Sequence, residues 1–548
     1  MKKQYLHYLN EIMSHQWDDL ALSDYGEETA YTFGQLAEKM LKLHTFFKLL
    51  GIERGDKIAL CGRNCANWAV AYLATVSYGA VVVSILQDFK ADDIQKLIRH
   101  SDSKMLFVGP YIWKELQEES LNELTAVLSL KDFTVLRNGE DVEIPSEEAL
   151  QTAFDAKHPN GVIPENICFS ADQDALSVIN YTSGSTGSPK GVMLKGRSLS
   201  NNVEVGMHVL PVDPGQRLVS MLPLAHMFGQ VCEFLYPLCC GTHIYFLTKT
   251  PTPSILLKAL QEVKPYLVVT VPLVIEKIYK KNINPLISKK VISLFWNMAG
   301  IGSIIRKKVK KGLTNAFGGQ LRYFICGGAA INPTVEKCLM DIHFPLSVGY
   351  GMTECAPLIT YSDWETFREG SVGRVIDRME IRIDSPDPEH VVGEVQTRGD
   401  NVMLGYYHNE EATRNAFTAD GWLRTGDLGT IDAEGNLFIR GRSKNMLLGP
   451  SGQNIYPEEI EGALNARPFI SESLIVSRDD KLVALIHPDL ERMDSEGVTA
   501  DNISGILKKA IDEVNLEMPA YSKISSFQIY QDEFEKTPKR SIKRYLYQ

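Results

Sequence analysis

Hydrophobic positions between residues 57 and 108 follow two alternating patterns, short apolar runs and longer stretches with helical spacing. Strands are predicted at residues 57–60, 81–85 and 105–108, and helices at residues 68–78 and 91–100. Alternating units of this kind build parallel strands that are joined by crossover helices. The alternation recurs from residue 215 to residue 247, so we predict an α/β fold with two doubly wound subdomains.

Residues 68–86 contain no charged side chain and are long enough to cross a bilayer. Gly79 divides the stretch into a helical half and a β-branched half, which favours a buried helix followed by a buried strand. Residues 1–13 start basic but interleave polar and apolar positions, as an amphipathic helix does and a signal peptide does not. We therefore expect neither stretch to span a membrane.

The pattern changes character beyond residue 372. Short strands separated by Gly, Asp and Pro turns continue to residue 439 and predict a small β-barrel or distorted sheet. After Arg442 an α+β pattern begins, with helices at residues 457–466 and 503–516 and strands at residues 472–476 and 482–486. We predict a large N-terminal domain, residues 1–442, and a smaller C-terminal domain, residues 443–548.

Composition narrows the classes of protein that fit. The 548 residues are 44% hydrophobic and 23% charged, which is typical of a globular chain with more than one domain. The net charge of −11 argues against nucleic acid as the main partner, because nucleic-acid-binding domains usually carry a basic face. Nine cysteines without a C-x-x-C pair fit neither a disulfide framework nor a zinc site. We expect a reducing, cytoplasmic location.

A loop rich in glycine and hydroxyl groups follows a predicted strand at residues 176–181. Its glycines let the backbone N–H groups approach an anion, and Lys190 adds a positive charge. A P-loop requires the sequence G-K-[ST], whereas Lys190 precedes Gly191. We predict a phosphate-binding loop of a different kind. Its hydroxyl groups are those of Thr182, Ser183, Ser185 and Thr186.

Two further segments suit a nucleotide. Residues 348–354 place an aromatic ring, a hydroxyl and a carboxylate on one short turn, and these groups can stack on a base, bond a phosphate and hold Mg²⁺. Residues 326–330 have small side chains, so a planar base can lie against their backbone. The candidate residues are Gly327, Gly328, Ala329, Gly349, Tyr350, Gly351, Met352, Thr353 and Glu354.

The string YTSGSTGSPKGV resembles the phosphate-loop signature of the adenylate-forming enzymes, which include acyl-CoA synthetases, luciferases and the adenylation domains of peptide synthetases. The resemblance implies that Tyr350 stacks on adenine, that Thr353 contacts the α-phosphate and that Glu354 ligates Mg²⁺. It also implies that residues 327–329 form the loop at the edge of the adenine ring.

Residues 422–429 and 440–444 extend the resemblance. In the family the aspartate that matches Asp427 accepts both ribose hydroxyls, and Arg442 is the expected partner across the sugar and phosphate. Lys444 falls where the family has a hinge, about which the C-terminal domain rotates between two half-reactions. Residues 450–454 resemble the loop that approaches the pantetheine tunnel after rotation.

The segment LPLAHMFG, residues 222–229, resembles the family's LPLxH motif at the carboxylate pocket, which assigns His226 to the substrate carboxylate and the pocket wall. Residues 271–274 are expected to line the same cavity. The long segment 277–320 resembles the long-chain fatty acyl branch. Its basic run, residues 306–311, is expected to be a solvated helix face, with peripheral attraction to an anionic membrane as the alternative.

The C-terminal sequence EKTPKRSIKR departs from the family's K-T-P-x-x-K-I-x-R pattern. The adenylation lysine of that pattern falls on Ser541. Lys539 or Lys543 is the candidate replacement, and Lys543 is favoured because Lys539 is closer to the turn-forming Pro538.

Together these features predict an ATP-dependent ligase that converts a long-chain fatty acid to acyl-AMP and pyrophosphate and then transfers the acyl group to coenzyme A. Its cofactors would be ATP and Mg²⁺, with coenzyme A as co-substrate. An acyl-AMP ligase or acyl-carrier-protein synthetase is one alternative, and a catalytically impaired binding protein for nucleotide or fatty acid is another. The expected catalytic residues are Thr182, Lys190, His226, Glu354 and Lys543.

Overall fold

A predominantly parallel sheet of eight strands confirms the alternation predicted from residue 57. The computed structural model describes residues 3–182, 189–249, 252–287, 295–296, 298, 300–448, 453–478, 481–537 and 542–547. Five central strands of this first sheet are parallel, and antiparallel strands flank both edges. In spatial order its strands are Gly405–Tyr406, Lys190–Lys195, Leu176–Thr182, Val81–Ile85, Lys57–Cys61, Ser103–Val108, Ala126–Ser129 and Val135–Asn138.

A second sheet of seven strands is parallel except for its last pair. Its strands, in spatial order, are Leu346–Val348, Tyr323–Cys326, Leu267–Thr270, Arg217–Ser220, His243–Phe246, Leu20–Asp24 and Ala30–Thr32. Helices of eight or more residues in this part of the chain are Tyr5–His15, Phe33–Leu49, Ala66–Tyr78, Ala91–His100, Glu147–Lys157, Gly196–Val209, Pro253–Val263, Ile301–Ala316 and Pro333–Asp341.

The uncharged stretch forms a buried helix, Ala66–Tyr78, and a buried strand, Val81–Ile85, as predicted. Gly79 ends the helix with a φ of 90°, a left-handed conformation that glycine adopts readily. Trp68 packs in the core that the two sheets share, which suits a helix that is apolar on all sides. Among the described residues, no helix has the length and apolarity that crossing a membrane requires.

Antiparallel sheets follow the second parallel sheet. A three-stranded sheet contains Tyr350–Gly351, Leu358–Tyr361 and Arg374–Val375, and a four-stranded sheet contains Met379–Asp384, Gly393–Gly399, Leu423–Ile431 and Leu437–Arg442. A bridge between Arg374 and Asn436 connects the two sheets. The register of the four-stranded sheet matters for the site, because it sets Asp427 directly opposite Arg442.

The α+β unit predicted after Arg442 is present. A turn, Ser443–Asn445, follows the last strand of the four-stranded sheet. The sheet of the unit contains Ile470–Arg478, Lys481–Pro488 and Ile524–Ile529, and its helices are Pro457–Asn465, Leu490–Glu496 and Ala500–Glu517. The amide of Asn445 donates to Glu458 Oε1 at 2.6 Å, which connects the turn to the first helix of the unit.

Candidate nucleotide and acyl site

Three of the predicted segments begin where neighbouring strands of the second sheet end. Val271 follows Leu267–Thr270, Gly327 follows Tyr323–Cys326, and Gly349 follows Leu346–Val348. The Gly327 N–H donates to the Thr270 carbonyl at 3.1 Å, and the Gly349 N–H donates to the Cys326 carbonyl at 3.0 Å. Ligands of open parallel sheets bind at the carboxyl ends of the strands, so these loops lie at the expected edge.

Glycine keeps the backbone accessible in this row of loops. A methyl group at Gly327 would lie 3.1 Å from the Phe228 ring and 3.4 Å from the Gly349 carbonyl oxygen. A methyl group at Gly351 would lie 2.0 Å from the Pro357 carbonyl oxygen. Gly328 and Ala329 are exposed, so the predicted adenine-edge loop presents part of its backbone to solvent.

Tyr350, Asp427 and Arg442 form one polar cluster. The Tyr350 hydroxyl donates to Asp427 Oδ2 at 2.7 Å, and the Arg442 guanidinium forms an ion pair with Asp427, with Nε 2.9 Å from Oδ1. Asp427 is 4% exposed, and this burial raises the pKa of its carboxyl although the Arg442 charge opposes the shift. A carboxylate has about four acceptor positions, so one hydrogen bond and one ion pair leave capacity for the hydroxyl groups of a sugar.

Lys190 and Glu354 both contact Tyr406, a residue that was not predicted from the sequence. The Tyr406 hydroxyl donates to Glu354 Oε1 at 2.9 Å, and the Lys190 ammonium lies 4.9 Å from the centre of the Tyr406 ring. The cause is strand pairing, because Gly405–Tyr406 runs antiparallel to the strand that starts at Lys190. Nothing in the local sequence around Tyr406 indicates either partner.

The structure describes the predicted phosphate loop only at its two ends. Thr182 ends the strand Leu176–Thr182, is 8% exposed and is the Cα partner of Lys190 across the antiparallel pair. Ser183, Ser185 and Thr186 lie outside the described residues. The strand register therefore brings the loop's first hydroxyl and its lysine to the same level of the first sheet.

The segment from Leu222 to His226 is held by buried polar side chains on its inner side. Glu233 Oε2 accepts the N–H groups of Met221 at 3.0 Å and Leu222 at 2.8 Å. Asn180 donates to the Ala225 carbonyl at 2.8 Å from the strand that leads into the phosphate loop. The predicted acyl-side segment is thereby attached to the predicted phosphate site.

His226 is half-buried and accepts the Phe228 N–H through Nδ1 at 3.4 Å. Because the Phe228 ring lies against Gly327, the acyl-side segment borders the adenine-edge loop. Val271 also borders that loop, since its Cγ1 lies 3.8 Å from the Cβ position of Gly328. The structure therefore brings His226, residue 271 and the glycine loop together.

Among the C-terminal candidates for the adenylation lysine, Lys543 lies within the described residues. The Lys543 ammonium pairs with Glu535 at 2.7 Å inside the C-terminal α+β unit, and this pairing raises the pKa of Lys543. Its neighbour Arg544 pairs with the buried Glu461. Lys539 and Ser541 lie outside the described residues, as does most of the predicted loop 450–454. Lys444 is exposed on the turn after Arg442, and desolvation with the Arg442 charge lowers the pKa of Lys444.

The donor groups of this edge fit a magnesium nucleotide. Glu354 offers a half-buried carboxylate beside the buried Thr353, and Mg²⁺ prefers oxygen ligands. Within the described parts of the chain, no group of three or more His, Cys, Asp or Glu side chains could hold a metal ion.

Known proteins share this sequence pattern and fold. The family model described as AMP-binding enzyme matches residues 10–407, and the model of the AMP-binding enzyme C-terminal domain matches residues 445–547. The long-chain-fatty-acid–CoA ligase FadD15 of Mycobacterium bovis is 27% identical over 90% of this chain and 86% of its own length. Long-chain-fatty-acid–CoA ligase 1 of Saccharomyces cerevisiae is 28% identical over 84% and 72%.

Solved structures extend the likeness to the fold. The anthranilate CoA ligase AuaEII in complex with anthranoyl-AMP superposes with a TM-score of 0.78 at 20% identity, covering 100% of this chain and 96% of its own. ATP-bound MatB from Rhodopseudomonas palustris gives a TM-score of 0.77 at 21% identity, covering 99% and 98%. MenE of Bacillus subtilis, solved with ATP and a magnesium ion, gives 0.74 at 20% identity, covering 98% of each chain.

These matches bear on the predictions made from the motifs. The α/β fold class is confirmed by the neighbouring structures and the sheet topology. The predicted ATP and Mg²⁺ agree with solved relatives that contain them. The roles of the individual site residues stay predictions. The family match spans most of the chain, and the resemblance to adenylate-forming enzymes is confirmed: this chain belongs to the AMP-binding enzyme family.

Proposed function

We propose that this chain is an AMP-forming acid–CoA ligase whose acid is a long-chain fatty acid. The observation that carries the proposal is that Lys190 and Glu354 contact the same side chain, Tyr406, while Tyr350, four residues before Glu354, contacts Asp427. The His226 segment borders this edge of the sheet through the Phe228 ring, which lies against Gly327. The names of the sequence relatives support the long acyl chain. Products of the first step are acyl-AMP and pyrophosphate, and those of the second are acyl-CoA and AMP.

Each site residue has a task in this reaction. Lys190 and the Thr182 hydroxyl bind phosphate oxygens, and the Thr353 hydroxyl bonds the α-phosphate. Asp427 orients the ribose, and the Tyr350 ring offers a face to adenine. His226 borders the fatty carboxylate, which attacks the α-phosphorus as pyrophosphate leaves. When bound, Mg²⁺ neutralises phosphate charge and is held through Glu354.

An acid panel tests the substrate class. Purified protein is mixed with ATP, Mg²⁺, coenzyme A and either palmitate, octanoate, benzoate or malonate, and AMP and pyrophosphate are measured. We expect the highest kcat/KM with palmitate, because each buried CH₂ contributes up to about 0.8 kcal/mol. A preference for benzoate or malonate would place the chain with ligases of small acids, and no turnover with any acid would contradict the ligase proposal.

Separate controls identify the acyl acceptor and test whether the protein is catalytically active. Replacing coenzyme A with an acyl-carrier protein distinguishes the thioester acceptors, and release of acyl-AMP alone indicates an adenylate ligase. Binding of ATP without turnover would favour the catalytically impaired binding protein.

We also propose the domain division at residues 442 and 443, with rotation about Lys444 between the two half-reactions. The solvated helix face expected for residues 306–311 stays a prediction, as does its alternative, peripheral attraction to an anionic membrane, and vesicle sedimentation can distinguish the two.

The replacement of the adenylation lysine gives a further prediction. Lys543→Ala is expected to slow acyl-AMP formation by up to about 10²–10³-fold, since loss of one electrostatic group at the transition state costs that much. Because the Lys543 ammonium pairs with Glu535, it must leave this partner to act. Glu535→Gln, which keeps the lysine and removes its partner, is the matched control and is expected to retain the rate.

Ser541→Lys and Lys539→Ala complete the series. We expect Ser541→Lys to raise the rate of acyl-AMP formation, because it restores the lysine of the family pattern. Rates are measured in single-turnover experiments with palmitate and ATP, so that the second half-reaction does not contribute. If neither Lys539→Ala nor Lys543→Ala slows this step, the protein uses no replacement lysine.

A further inference from the structure

We propose that Tyr406 is a positioning residue that prepares both the phosphate-binding lysine and the magnesium-binding carboxylate. Its hydroxyl donates to Glu354 Oε1 at 2.9 Å, and its ring lies 4.9 Å from the Lys190 ammonium. This inference rests on the proposed function, because it assigns Glu354 to Mg²⁺ and Lys190 to phosphate. It adds a residue from a strand that carries none of the nucleotide motifs.

The backbone around Tyr406 is fixed independently of any ligand. Tyr406 is the Cα partner of Val192, and the following Tyr407 N–H donates to the Gly191 carbonyl at 2.8 Å. The Tyr406 N–H donates to Thr413 Oγ1 at 2.9 Å. These bonds attach Tyr406 to the strand that starts at Lys190 on one side and to the helix Glu410–Ala416 on the other. The ring therefore lies beside Lys190 because of strand register.

The hydroxyl of Tyr406 acts on the orientation of Glu354. The Tyr406 hydroxyl is the donor of this bond, and Glu354 Oε1 accepts it. A donor on Oε1 holds the carboxylate in one rotamer and leaves Oε2 for a cation. Hydrogen bonds to metal-ligating carboxylates serve this purpose in metal sites generally, and their loss typically lowers metal affinity 10–100-fold.

The ring of Tyr406 acts on Lys190. An ammonium ion is attracted to the face of an aromatic ring, so the ring restrains the lysine without neutralising its charge. Among the ion pairs of the described residues, none joins Lys190 to Glu354. We infer that the ring keeps the two opposite charges from pairing with each other, so that the lysine stays available for phosphate and the carboxylate for Mg²⁺.

Two substitutions separate these tasks. Tyr406→Phe removes the donor to Glu354 and keeps the ring, and Tyr406→Leu removes both. Tyr407→Phe is the matched control, because the Tyr407 hydroxyl donates to Asp102 at 2.6 Å, outside the nucleotide site. Calorimetry measures the binding of ATP at a series of Mg²⁺ concentrations in the absence of fatty acid. Thermal unfolding of each variant is measured in parallel.

We expect Tyr406→Phe to raise the Mg²⁺ concentration that half-maximal ATP binding requires by about 10–100-fold. Tyr406→Leu is expected to weaken ATP binding further at saturating Mg²⁺, and Tyr407→Phe to change neither quantity. An unchanged Mg²⁺ dependence in Tyr406→Phe, or an equal loss in Tyr407→Phe, would overturn the inference. Because no fatty acid is present, this outcome is independent of the acid panel, which tests the proposed function itself.

Discussion

Asp427→Ala is expected to raise the KM for ATP by about ten- to a hundredfold. Hydrogen bonds to a charged group contribute roughly 1.5–3 kcal/mol each, and about 1.4 kcal/mol corresponds to one factor of ten in affinity. The carboxylate is 4% exposed and is oriented by the Tyr350 hydroxyl and the Arg442 charge, so we expect no other group to replace it when a ribose binds. Steady-state kinetics with ATP as the varied substrate and calorimetric binding of magnesium ATP measure the effect.

Asp420→Ala is the matched control for this prediction. Asp420 forms an exposed ion pair with Arg382 at 2.6 Å at the same antiparallel sheet, and it has no part in the Tyr350 cluster. Its removal is expected to leave the KM for ATP unchanged. Asp427→Asn, which keeps the shape and loses the charge, is expected to give an intermediate KM. An Asp427→Ala protein that is less stable but has an unchanged KM would show that the aspartate only supports the fold.

Glu233→Ala is expected to lower the free energy of unfolding by roughly 2–6 kcal/mol. The substitution leaves the N–H groups of Met221 and Leu222 buried without their acceptor, and each such group costs about 1–3 kcal/mol. The affected backbone leads directly into the His226 segment, so the KM for the fatty acid is expected to rise as well. Denaturant unfolding and the acid-dependent rate are the two measurements.

The pH dependence of stability provides a check on the state of Glu233. Complete burial raises the pKa of its carboxyl well above 4.5, and the Oε1 atom has no hydrogen-bond partner among the described residues. The folded protein then binds a proton more tightly than the unfolded chain does. Its stability is expected to fall as the pH rises from about 4.5 towards the raised pKa.

Glu233→Gln isolates this contribution. The amide keeps the volume and an acceptor oxygen but cannot ionise, so the variant is expected to lose less stability between acidic and neutral pH. Urea unfolding of both proteins at several pH values gives the comparison. Identical pH profiles for wild type and Glu233→Gln would mean that the carboxyl ionises without cost, contrary to its burial. A comparison of Glu233→Ala with Glu233→Gln separates two contributions to stability. One is lost with the hydrogen-bond acceptor, and the other depends on protonation of the carboxyl.

The elements that were predicted correctly are those with a strong local pattern. The helix Ala66–Tyr78 and the strand Val81–Ile85 follow from an uncharged stretch divided by Gly79. Burial on every side excludes charged residues and favours apolar ones, and that preference is visible in the sequence itself. The glycine at residue 351 was found for a related reason, because a side chain there would lie 2.0 Å from the Pro357 carbonyl oxygen.

The partners of the site residues could not be predicted in this way. Tyr406 contacts Lys190 and Glu354 because the edge strand Gly405–Tyr406 pairs in one register. Glu233 supports the His226 segment from a buried π-helical turn, Gln230–Leu235. The pairing of Lys543 with Glu535 likewise depends on how the C-terminal chain folds back. Strand register and side-chain direction depend on the whole assembly of sheets, so neighbouring residues in the chain give no sign of them.

The amino-acid sequence by itself therefore determined the two alternating α/β units and the C-terminal α+β unit. It also contained the motifs that indicate the chemistry. The periodicity of hydrophobic residues and the placement of glycines depend on the local conformation of the chain. They can therefore be read from the sequence. Only the tertiary structure decided that Tyr350 and Arg442 contact Asp427. It also decided that Tyr406 contacts both the Lys190 ammonium and the Glu354 carboxylate. These contacts join residues far apart in sequence, and their distances are set by strand register and packing.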